Sequence, residues 1–145
     1  MPIWFQPPAM EELRSFTRTA TLASHIGIEF TEIGDDFLRA HMPVDERTRQ
    51  PFGILHGGAS VTLAETLASF GATYCVDRSR YRVVGQEINA NHIRAVSSGY
   101  VTGTARPIHL GKRSQVWEVR IEDEQQRLVC ISRMTAFVIE QSTPG

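Results

Sequence analysis

Between His56 and Asp77 the chain carries one charged residue, Glu65, in a run of small and apolar side chains that opens on His56-Gly57-Gly58. Nothing else in the sequence constrains the fold as much. A run this long and this free of Pro predicts a helix from Gly57 to about Val76. It includes Glu65, glycines and several hydroxyl residues, so it reads as the central helix of a soluble core and not as a membrane span. A carboxylate inside an apolar helix is costly to bury unless something pairs with it. Glu65 is therefore expected to be buried, either as the partner of an arginine or as a functional group with a perturbed titration.

The segments around this helix read differently. Residues 1–9 hold three prolines and predict an irregular arm. Glu11 to Thr19 reads as a short helix, with acids in its first turn and arginines later. Thr21 to Ile26 reads as one more helical turn, stopped by Gly27. Ile28 to Ile33 and Phe37 to Val44 read as strands joined at Gly34-Asp35-Asp36, and Asp45 to Leu55 as a polar loop. After a charged loop, Asp77 to Tyr81, come four further strands: Arg82–Arg94, Tyr100–Ile108, Ser114–Asp123 and Arg127–Ile139. Gln115-Val-Trp-Glu-Val-Arg-Ile-Glu alternates cleanly. Two strands, one long helix and four strands make an α+β domain, with an antiparallel sheet packed on one helix. The expected division is an arm and short helix over 1–27 and the main domain over 28–140.

Composition narrows the function classes. With 145 residues, 41% hydrophobic and 21% charged, the chain suits one globular domain. A net charge of −1 gives no electrostatic case for nucleic acid. The two cysteines, Cys75 and Cys130, form no C-x-x-C pair, and the five histidines show no ligand spacing, so neither a metal nor another cofactor is expected. The cysteine usage and the absence of a visible signal segment predict a cytoplasmic protein with no membrane partner.

Three stretches carry a family likeness: Gln50 to Ser69, Val84-Gly-Gln-Glu-Ile-Asn-Ala-Asn-His-Ile-Arg94, and His109-Leu-Gly-Lys-Arg-Ser-Gln-Val-Trp117. With the element order, they resemble the hotdog-fold acyl-CoA thioesterases over roughly residues 28–139. The nearest group contains 1,4-dihydroxy-2-naphthoyl-CoA thioesterases and related aryl-CoA hydrolases. His-Gly-Gly alone is a weak signal. The same turn with Glu eight residues later, Gln before and Ser after is a strong one. The resemblance implies a sheet wrapped around the long helix, Glu65 as the catalytic carboxylate, and dimers or pairs of dimers. It also implies that coenzyme A is held around Gly85, His92, Ile93, Arg94, His109, Leu110, Gly111, Lys112 and Arg113. Of these, Lys112, Arg113 and Arg94 are candidate phosphate contacts. Arg78, Arg80 and Arg82 form a second basic cluster. For each, a solvated surface charge is an equal alternative.

The residues fit that chemistry. The first N–H groups of a helix lack intrahelical partners and carry the positive end of its dipole. Glycine at Gly57 lets a ligand oxygen approach that backbone, as an oxyanion hole requires. Ser69 is one turn from Glu65 and shares its face. Glu65 either attacks the thioester carbonyl or activates water as general base; Gln50 donates an amide hydrogen, and Ser69 positions water or the carboxylate. His56 either reaches the carbonyl oxygen or supports the turn. A thiol leaves readily without a strong acid. Gly57 and Glu65 are eight residues apart, about 12 Å along a helix axis, too far for one carbonyl group. If both act, they come from different chains, and the protein is at least a dimer. Phe52, Leu63, Leu67, Phe70 and Tyr74 are expected to line the acyl site. A dehydratase of the same fold and a non-catalytic acyl-CoA-binding domain are the alternative readings.

Overall fold

The computed structural model describes residues 1–142. Six antiparallel strands wrap one long helix. In chain order the elements are α1 (Met10–Phe16), α2 (Leu22–His25), β1 (Glu29–Ile33), β2 (Leu38–Pro43), α3 (Gly57–Tyr74), β3 (Tyr81–His92), β4 (Tyr100–Leu110), β5 (Ser114–Glu122) and β6 (Leu128–Glu140). The sheet runs β1-β2-β4-β5-β6-β3. This is the hotdog arrangement that the resemblance implies.

The inner face of the sheet explains why α3 lies where it does. Gln115, Trp117, Val119 and Ile121 alternate inward on β5 and are buried. A Cβ on Gly71 would sit 2.7 Å from the Trp117 ring, so the missing side chain is what seats the indole under the helix. Trp117 Nε1–H donates to Gln115 Oε1 at 2.8 Å, and Gln115 Nε2–H donates to the Ala72 carbonyl at 3.3 Å. Leu63 and Leu67 pack against Gly103 of β4. They are therefore core residues, not the acyl-site lining expected of them, and Phe52 is 90% exposed on its loop.

Two boundaries differ from expectation for local reasons. Helix α3 stops at Tyr74, two residues early, where the chain turns toward Asp77, whose Oδ1 accepts the Ser79 N–H and hydroxyl. Strand β4 runs on to Leu110, because a bulge between Pro107 and His109 absorbs the proline that has no N–H to give the ladder. The arm over 1–9 is irregular but pinned. Ile3 N–H donates to Asp35 O at 2.9 Å, Trp4 Nε1–H to Gly34 O at 2.9 Å, and Phe5 N–H to Tyr74 O at 3.0 Å. Leu13 of α1 and Ile26 belong to the core. Among the described residues no helix is long and apolar enough to cross a membrane.

Candidate active site

The first turn of α3 holds one unclaimed donor. His56 is the N-cap, and its Nδ1 accepts the Gly58 N–H at 2.8 Å. The His56 carbonyl takes Ala59 N–H at 3.0 Å and Ser60 N–H at 3.3 Å. Gly57 N–H has no acceptor among the described residues. His56 thus supports the turn, and by occupying Gly58 it leaves Gly57 as the available donor at the positive helix end.

Gln50 stands beside this turn. Its loop closes through Gln50 N–H to Ile54 O at 2.8 Å and Gly53 N–H to Gln50 O at 3.0 Å. The Gln50 side-chain oxygen accepts the Phe52 N–H, so its amide NH2 is the end left to donate outward. Gln50, Gly57, Ser60, His92, Ile93 and Arg94 line one cavity of about 310 Å³. The His92 ring lies against Gly57, where a Cβ would meet its Nε2 at 2.7 Å.

Glu65 is elsewhere, and it is exposed in the single chain. That corrects the expectation of a buried carboxylate. The buried face of α3 carries Leu63, Ala64, Leu67, Ala68, Gly71 and Ala72, and Glu65 lies off that face. No cation lies within ion-pair distance of it among the described residues, which removes the reading as an arginine's partner. Ser69 shares its face, and both line a largely apolar cavity of about 380 Å³ with Phe16, Leu22 and Phe70. Strand β3 passes close by: a Cβ on Gly85 would lie 3.1 Å from Glu65 Oε1. Gly85 therefore sits beside the carboxylate.

The chain thus presents two half-sites. Gln50, His56, Gly57, His92, Ile93 and Arg94 gather at the start of α3; Glu65, Ser69 and Gly85 gather about two to three turns further on. His109, Leu110, Gly111, Lys112 and Arg113 belong to neither. Val138 N–H of β6 donates to Arg113 O, whereas His92 pairs with Cys130. Eight residues of β6, about 27 Å at strand rise, separate those points. Lys112 and Arg113 border another cavity of about 490 Å³ with Tyr81 and Phe137. In the second basic cluster, Arg78 is engaged by Glu12 at 3.4 Å and by the Tyr74 ring at 4.4 Å. Sequence reasoning missed the contribution of α1 and α2, whose Phe16 and Leu22 wall the Glu65 cavity. No local pattern in the sequence places these two side chains over Glu65, because they reach it only through the path of the chain between α1 and α2.

The thioesterase superfamily model matches residues 52–130, which include Gly57, Glu65, Ser69, Gly85 and His92. The chain belongs to that superfamily. It is 53% identical over 137 residues to the proofreading thioesterase EntH of Cronobacter turicensis, covering 94% of this chain and 98% of the relative. Among solved structures it is similar to a glutamine-to-alanine variant of thioesterase PA1618 from Pseudomonas aeruginosa, with TM-score 0.93, 45% identity, and 96% and 99% of the two chains covered. Thioesterase HI1161 from Haemophilus influenzae gives TM-score 0.91 and 46% identity, with 95% of each chain covered. Membership makes the chain a thioester hydrolase by class.

Proposed function

We propose that this thioesterase hydrolyses aromatic or medium-chain acyl-CoA thioesters to the free acid and CoA, at two equivalent sites formed between the chains of a homodimer. One observation carries the reading. A free helix-start N–H with a donating glutamine, and an exposed carboxylate on an apolar cavity, lie about 12 Å apart on one helix. Two chains are needed to bring them to one carbonyl group.

In this scheme Gly57 N–H of one chain binds the thioester oxygen, and negative charge developing there is stabilised by the helix start. The other chain's Glu65 delivers oxygen to the carbonyl carbon. As general base it takes a proton from water, and the hydroxide adds; as nucleophile it forms an anhydride that water then opens. Either way the C–S bond breaks, the sulfur leaves as thiolate, and the balance is one water consumed for one acid and one thiol released. Gln50 and Ser69 orient the reacting groups. Arg94, in the Gly57 cavity, is the nearest candidate for a CoA phosphate, with Lys112 and Arg113 as candidates further along the sheet.

Strand β3 supports the dimer. It is twelve residues long, lies at the sheet edge and leaves one side of its backbone without a strand partner. Such an edge pairs readily with another strand. Two free cysteines fit a reducing compartment, and we place the enzyme in the cytoplasm. Among aryl substrates, 1,4-dihydroxy-2-naphthoyl-CoA is one to test. The deciding experiment is release of free thiol from a panel of aryl- and fatty-acyl-CoAs. Turnover with formation of the acid supports the reading. Binding without turnover would favour an acyl-CoA-binding domain, and water addition or loss with the thioester intact would favour a dehydratase.

A further inference from the structure

We propose that Phe16 of α1 sets the length of the acyl group accepted at Glu65, by closing a second cavity that lies beyond the first. The inference rests on the thioesterase reading above. The cavity beside Glu65, about 380 Å³, is followed by another of about 170 Å³ that reaches Thr73, Tyr74 and Arg78. The two have Phe16, Ser69 and Phe70 in common, so these residues stand at the junction.

The two rings at the junction are unequally held. Phe70 packs edge-on to Phe30 at 5.2 Å, and Phe30 is fully buried. Phe16 meets Phe70 at 5.3 Å, is 42% exposed, and sits in the last position of a seven-residue helix. Phe16 is therefore the side of the junction that can be removed or enlarged without disturbing the core. The occupant follows from the mouth. Glu65 and Ser69 open on the first cavity, so a thioester carbonyl within reach of Glu65 sends its acyl group along Ser69 and Phe70. The far end is a stop. Tyr74 is buried there, its hydroxyl has no hydrogen-bond partner among the described residues, and Arg78 lies across its ring at 4.4 Å. Burial pushes that phenol up to about 12, with the Glu12 carboxylate adding to the rise.

The test is kcat/KM for a series of straight-chain CoA thioesters from acetyl to dodecanoyl, with benzoyl-CoA, on the wild-type protein, Phe16→Ala and Phe16→Trp. Each methylene newly buried in the second cavity is worth roughly fourfold. Phe16→Ala is expected to move the optimum to longer chains and to raise kcat/KM for the longest ester by about tenfold or more. Phe16→Trp is expected to move it to shorter ones. Chain-length profiles unchanged in both variants, with native circular dichroism and assembly, would overturn the inference while leaving the thioesterase reading intact. A wild-type protein that hydrolyses none of the esters would overturn the thioesterase reading, and this inference with it. Phe16→Trp keeps an aromatic ring against Phe70, so the series remains decisive if Phe16→Ala fails to fold.

Discussion

Glu65 bears no load in the fold of the single chain. It is exposed, makes no ion pair among the described residues, and lines one cavity with Thr66 and Ser69. Replacing it should therefore separate chemistry from folding. Glu65→Gln is expected to retain the wild-type melting temperature to within a few degrees and to lose kcat by on the order of 10³ or more, as when an attacking or general-base group is removed. Most of the wild-type kcat surviving in purified Glu65→Gln would remove this carboxylate from the mechanism. Gln50→Ala should cost less, because Gly57 N–H still holds the carbonyl oxygen. His56→Ala should do something different: loss of an N-cap costs about 1 kcal/mol of stability and frees Gly58 N–H to compete with Gly57.

The elements carry their own constraints, and the most testable is the notch at Gly71. Alanine is the better helix former by about 1 kcal/mol. Here its Cβ would meet the Trp117 ring at 2.7 Å, and that ring is fully buried and tied through Gln115 to the helix backbone. Overpacking of this kind costs about 1–3 kcal/mol, so Gly71→Ala should be a net loss of about 1 kcal/mol, or roughly 2–4 °C in Tm. A more stable Gly71→Ala would show that the indole can retreat. The turn after α3 adds a pH-dependent part. Hydrogen bonds from the Ser79 hydroxyl and N–H hold Asp77 below its ordinary 3.8 in the fold. A carboxylate lowered in the fold contributes stability above its unfolded pKa and loses it as pH falls through the folded value. The Tm gap between wild type and Asp77→Ala should hold constant from pH 7 to 5 and shrink below about pH 4. A gap that widens in acid would contradict that linkage. These elements were legible because their signals are local: alternation in β5, an uninterrupted run in α3, turn residues between strands. The orientation of Glu65 was not. Val61, Thr62, Thr66 and Ser69 are small or weakly polar like the residues on the buried face, so the pattern along α3 does not say which side the sheet covers. Nor was the roof of the Glu65 cavity, since Phe16 and Leu22 reach it only through the path of α1 and α2.

At the scale of the molecule, the two half-sites on α3 have fixed places along β3. Glu65 lies at Gly85 and Gly57 lies at His92. In an antiparallel pairing of two β3 edges around a two-fold axis, each residue faces its counterpart across the axis. Setting the His92 end of one chain opposite Gly85 of the other requires the axis to cross β3 near Ile88 or Asn89, midway between them. Side chains opposite one another in such a pair must share a face, so one of these two residues faces its own copy. A cysteine at that position would have its Cα about 4.5–5.5 Å from its symmetry mate, within disulfide range. Either Ile88→Cys or Asn89→Cys is therefore expected to give a covalent dimer on mild oxidation, with wild type, whose Cys130 is buried and Cys75 half-buried, as the control. The same assembly predicts complementation. Glu65→Gln and a bulky replacement at Gly57 should each be inactive alone. Co-refolded in equal amounts, they should recover about a quarter of wild-type activity, because half of the dimers are mixed and each mixed dimer has one intact site. Complementation without either cross-link would keep the shared site and move the axis. Cross-linking without complementation would keep the dimer and place Gly57 and Glu65 at separate tasks. Failure of both would return the whole reaction to a single chain, where α3 holds its donor and its carboxylate too far apart to meet one carbonyl.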